Sequence, residues 1–166
     1  MNMSKISWIA FALMLLFAML YITQTTAQLP PMVASHFDIA GYPNAFMTRG
    51  AYTRFILGFA AGLPIAIVTL LTVVYARARD FKLPNRDYWL APDRIAGTRT
   101  FLIAHGVWFG SLLISMVCFV HYLELQANRH MPPQLSNQLV SIGLLVFFVI
   151  TAAWIIALLR AFRVPR

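Results

Sequence analysis

Four long apolar runs, at about residues 7–27, 52–76, 100–123 and 138–161, constrain this chain more than any other feature. Each is long enough to cross a hydrocarbon layer of about 30 Å as a helix, which rises ~1.5 Å per residue. A helix is also the form that satisfies its own backbone groups where no water can. A soluble domain usually carries about a quarter charged residues, whereas here 11% are charged and 60% are hydrophobic. The expected fold is an all-α membrane protein with four transmembrane helices, a single membrane domain over residues 1–166. Lys5 ahead of the first run suggests a secretory signal. That run, however, outlasts the ~7–15 apolar residues of a cleaved signal, so it is expected to stay as a helix.

The net charge of +8 is placed where a membrane protein needs it. Lys5, the set Arg77, Arg79, Lys82, Arg86, Arg94 and Arg99, and the tail set Arg160, Arg163 and Arg166 fall on one side of the four spans; Arg49, Arg54 and Arg129 fall on the other. Lys and Arg concentrate on the cytoplasmic side of spans, so both termini are expected in the cytoplasm and the loop after the first span outside. Anionic headgroups account for the basic residues, leaving lipids as partners and no case for nucleic acid.

Lipid gives helices no hydrophobic reason to associate, so small residues that admit close backbone approach matter more. "GFAAG" (Gly58 to Gly62) and "GVWFG" (Gly106 to Gly110) are two such motifs, serving either packing within one bundle or a homodimer seam. Pro64 is expected to bend the second helix. No Asp, Glu, Lys or Arg lies near a span midplane, which argues against an ion-coupled transporter, pump or voltage sensor. His105 is expected to hydrogen-bond a neighbouring helix. His105 and His121 share one helix, roughly 24 Å apart by helical rise, and cannot form a haem pair. Cys118 is the single cysteine and reads as a small packing residue. There is no nucleophile elbow, phosphate loop or dinucleotide fingerprint, so nothing supports an enzyme.

The loop "PMVASHFDIAGYPNAF" is where polar chemistry gathers. Pro30 and Pro31 end the first helix. From Met32 to Ala40 the residues alternate, which predicts a strand with His36 and Asp38 on one side, about 7 Å apart. "GYPN" then predicts a turn centred on Pro43 and Asn44, with Phe37, Tyr42 and Phe46 anchoring the loop at the headgroups. His121 and Glu124, three apart on one helix face, and His130 lie on the same side of the membrane. His36, Asp38, His121, Glu124 and His130 thus offer imidazole and carboxylate ligands for a divalent metal. The competing reading gives His36 and Asp38 a purely structural role in shaping the loop.

"LPPMVASHFDIAGYPNAFMTR" resembles the short motif of the SdpI-like bacterial membrane proteins, in which a proline after the first helix is followed by His-Phe-Asn/Asp, Gly and Pro-Asp/Asn. Pro31, His36, Phe37, Asp38, Gly41, Pro43 and Asn44 carry the match, which covers roughly residues 1–50. The resemblance implies a multi-pass protein of the bacterial inner membrane, non-enzymatic, working in immunity to a secreted toxin or in envelope signalling. A second reading is an accessory subunit of a larger membrane complex, with the outer metal set described above.

The segment Leu83 to Thr100 looks like a cytoplasmic motif of short relatives of that family. Tyr88 and Trp89 suit the inner interface, Asp87 and Asp93 are placed to pair with nearby arginines, and "APDR" reads as a helix start. It serves either as an interfacial linker or as a docking surface.

Overall fold

The computed structural model describes residues 3–77 and 82–163; Arg79 and Arg166 of the basic sets lie outside them. The elements run α1 (Met3–Thr26), β1 (Met32–Phe37), β2 (Pro43–Thr48), α2 (Arg49–Arg77), α3 (Arg86–Trp89), α4 (Ile95–Ala127) and α5 (Asn137–Ala161). α1, α2, α4 and α5 are each long and apolar enough to cross a membrane, in agreement with the four apolar runs. α4 is the most extended of them, reaching several residues beyond the apolar run at each end.

α1, α2 and α4 pack pairwise into a three-helix bundle, and α5 rests on α4. Toward the hairpin end the core contains Ile22, Val33, Tyr52, Ile56 and Val117. Deeper in the bundle it contains Phe11, Ala18, Val68, Val107 and Ile114. In lipid these contacts gain dispersion energy from close fit rather than from escape from water. Gly106 and Gly110 supply that fit. A Cβ at Gly106 would stand 3.1 Å from Leu71 Cδ1, and one at Gly110 would run into Val68 and Phe11. Gly58 and Gly62 behave differently, since a Cβ at either would meet nothing within 4 Å. The two glycine motifs look alike in sequence, yet only the one on α4 packs within this chain.

The segment between α1 and α2 is an antiparallel hairpin. The expected alternation fails because the register shifts at Ala34/His36 and His36/Phe37, a bulge that lets Val33, Ala34 and Ser35 all be buried. The turn also lies earlier than "GYPN" suggested. It runs through Ile39 to Gly41, and Pro43 and Asn44 belong to β2. Asp38 makes this turn: its Oδ1 accepts from the backbone N–H of Ala40 and of Tyr42, both at 2.9 Å. An Asp side chain that satisfies two turn amides locks the chain reversal in place of a proline. Gly41 completes it at φ 85°, in the left-handed region that favours glycine.

At the opposite end, α3 is stitched to the end of α5. Trp89 Nε1 and Asn85 Nδ2 both donate to the Phe162 carbonyl, at 2.9 and 3.0 Å. Leu102 and Phe162 are buried beside them. The Arg94 guanidinium lies 4.1 Å from the Tyr88 ring centroid and 3.1 Å from Asp93, and Arg86 pairs with Asp87. These exposed pairs agree with the sequence reading, and solvent screening leaves them little weight in stability. The expected start at "APDR" falls one turn early, since α4 begins at Ile95 with Arg94 as its cap.

Candidate functional site

The hairpin is seated on the helix ends by groups from three distant segments. The Asn128 side chain, just past α4, works as a short strand: its Oδ1 accepts from Ala34 N at 2.8 Å and its Nδ2 donates to Ala34 O at 2.9 Å. The loop before α5 holds the turn, with Leu135 N donating to Gly41 O at 2.9 Å and Asn137 Nδ2 donating to Ile39 O at 2.9 Å. The absence of a side chain at Gly41 is needed here as well, because a Cβ would collide with the Leu135 carbonyl. Arg49 ties the other flank, its guanidinium donating to Ala27 O and Leu29 O at 3.0 Å each. What remains free is the tip: Ile39 is 98% exposed, and Tyr42 and Phe46 are about half exposed.

Beneath the hairpin lies a buried polar cluster. His121 is 0% exposed. Its Nε2 stands 2.8 Å from Thr25 Oγ1 and its Nδ1 2.7 Å from the Tyr52 hydroxyl. Tyr21 meets the imidazole edge-on and Tyr52 lies nearly parallel to it. Glu124, one turn further along α4 than His121, lies near the Tyr52 side chain. Donor accounting fixes part of this network. Thr25 gives its one hydroxyl proton to Tyr21 O at 2.6 Å, so it accepts from His121, and Nε2 carries hydrogen. The Tyr52 hydroxyl and Nδ1 share the second hydrogen bond of the imidazole. Glu124 Oε2 is buried with no hydrogen-bond partner.

Glu124 also lines a cavity of about 290 Å³ between β1, α4 and the start of α5, shared with Ser35, His36, Val120, Leu135 and Leu144. A second cavity of about 290 Å³ adjoins it along the α4–α5 groove. The two share Met116 and Phe119, and the second is walled by Leu112, Val146 and Ile150 among others. α5 contributes no buried residue. One polar exchange holds its far half to α4: His105 Nε2 and the Trp154 carbonyl, and Trp154 Nε1 and the His105 carbonyl, each lie 3.2 Å apart. The interhelical partner expected for His105 is therefore Trp154.

The metal set of the sequence reading does not assemble. Among the described residues no group of three or more His, Cys, Asp and Glu could hold a metal ion. Of the five, His36 and Glu124 share the first cavity. His121 has both ring nitrogens engaged elsewhere, Asp38 is spent on the turn, and His130 borders a different cavity with Ala40 and Asn137. Of the motif residues, Asp38 and Gly41 shape the turn, Phe37 lines the first cavity, Pro43 pairs with Phe37 at the end of the ladder, and Pro31 O accepts from Arg49 N at 2.9 Å. Thr25, Tyr52 and Asn128 were missed. No local spacing marks residues whose partners are 69 to 96 positions away.

Comparison of this chain with protein-family models, with curated proteins and with solved structures gives no match.

Proposed function

We propose that this chain is a small, non-enzymatic, multi-pass protein of a bacterial inner membrane, working in toxin immunity or envelope signalling, with the hairpin end facing outward. The observation that carries the reading is the hairpin itself. It is clamped at Ala34, Ile39 and Gly41 by Asn128, Leu135 and Asn137, yet displays Ile39, Tyr42 and Phe46 to the surroundings. A rigid support under exposed apolar side chains suits recognition, because little ordering entropy is lost on contact. The asymmetry of Lys and Arg supports the orientation.

Two experiments test it. A cysteine placed at Ile39 in a Cys118→Ser background should react with a membrane-impermeant maleimide applied to intact cells; protection until the cells are opened reverses the orientation. Substitutions at Phe37, Tyr42 and Asp38 should abolish protection from a secreted toxin, or the signalling output, at unchanged membrane levels. Normal activity of all three variants sinks the reading.

A specific observation favours a second reading, an accessory subunit or homodimer. Among the described residues a Cβ at Gly58 or Gly62 would meet nothing within 4 Å and α5 buries none of its residues, so two helix surfaces have room for another chain. Native mass spectrometry of the gently extracted protein separates the readings: additional chains favour the subunit, a bare monomer the stand-alone protein.

A further inference from the structure

The two adjoining cavities pass from a partly polar wall to an apolar groove. The first is lined by Ser35, His36 and Glu124 at the hairpin end; the second is almost wholly apolar and runs down the α4–α5 groove. From Glu124 to Leu112 the groove follows twelve residues of helix, about 18 Å. Polar wall, then apolar channel along the membrane depth, is the order of a headgroup followed by its chain.

Glu124 specifies the head. Its Oε2 is buried and without a partner, and a carboxyl oxygen that does not itself carry the proton is an acceptor. A buried acceptor left unmatched is costly, and a donor supplied to it is correspondingly favoured. Val120, Leu135 and Leu144 have no side-chain donor, and Ser35 and His36, which share the wall, make no hydrogen bond to Oε2.

We infer that this groove binds a membrane lipid whose headgroup bears an N–H or O–H donor, the head meeting Glu124 beneath the hairpin and one acyl chain lying between α4 and α5. The selectivity is against heads with no donor, whatever their chain.

The test uses the full-length protein in detergent, offered equal amounts of phosphatidylethanolamine, phosphatidylglycerol and phosphatidylcholine with distinguishable acyl masses, and reads retained lipid by native mass spectrometry. The first carries N–H donors, the second O–H donors, and the choline head neither. The wild-type protein should retain one donor-bearing lipid over phosphatidylcholine by about tenfold, the scale of one charge-assisted hydrogen bond, and which one identifies the donor. Glu124→Leu should bring that ratio to about one. Leu144→Trp fills the first cavity from α5 without touching the Tyr52 network, and should reduce retention of all three lipids. Equal retention by the wild type, no retention, or a preference that survives both variants overturns the inference. Because none of these outcomes depends on toxin protection or signalling, failure here is distinguishable from failure of the function proposed above.

Discussion

α4 meets two kinds of neighbour. Toward α1 and α2 it is interlocked: Gly110 admits Val68 and Phe11, Gly106 admits Leu71, and His121 is held from both sides by Thr25 and Tyr52. Toward α5 it is held at two points, Trp154 against His105 and Phe109, and Phe119 against Gly143, with cavities between. Both seams lie in the same apolar medium, so hydrophobicity does not separate them. Closeness of fit does, since dispersion falls away when a gap opens. The tight seam builds the scaffold, and the loose one leaves room for a guest.

Substitutions should divide along that line. Gly110→Leu drives a side chain into Val68 and Phe11 and should cost about 3 kcal/mol, the upper range for overpacking, read as loss of folded protein in a denaturing-detergent titration. Gly143→Leu runs just as hard into the Phe119 ring, but that ring lines both cavities and can turn into them, so the cost should be visibly less; equal losses would abolish the distinction between the seams. His121→Ala leaves Thr25 and Tyr52 facing a hole and should cost about 2–3 kcal/mol. Trp154→Ala should cost about 1–2 kcal/mol but act selectively. Cross-linking between cysteines on α4 and α5 should fall while that between α1 and α4 holds. Smallest of all, Leu at Gly58 or Gly62 should change monomer stability by no more than about 0.5 kcal/mol. A large effect there would reveal a second chain on that face.

The four spans were legible because length and apolar content alone determine what a bilayer accepts. His105 was legible in kind, because a polar ring inside a span needs a partner, although nothing local named Trp154. Asp38 was legible as structural, but the turn was misplaced. Pro43 is a strong turn signal, and it lost to an Asp that satisfies two amides and a glycine free to take positive φ. The strand alternation misled because Asn128 and the helix ends bury three successive residues, a demand made by tertiary contact rather than by period. Glycine spacing marked both Gly58–Gly62 and Gly106–Gly110, and only the positions of Leu71, Val68 and Phe11 decide which is used. The metal set failed for a related reason: sharing a side of the membrane is a far weaker condition than sharing a few ångströms.

The seating of the hairpin has a consequence for how the protein is made. β1 and β2 are adjacent in the chain and join through a short turn, so they pair early. The hydrogen bonds that fix the hairpin to the bundle, however, join Ala34 to Asn128 and Ile39 to Asn137, separations of 94 and 98 residues. Contacts that distant form late. During synthesis the hairpin therefore waits, paired but not yet clamped, until the third span has been inserted and the chain beyond it has emerged. Truncation before Asn128 leaves the hairpin tied at its Arg49 flank alone, without the clamps on Ala34, Ile39 and Gly41.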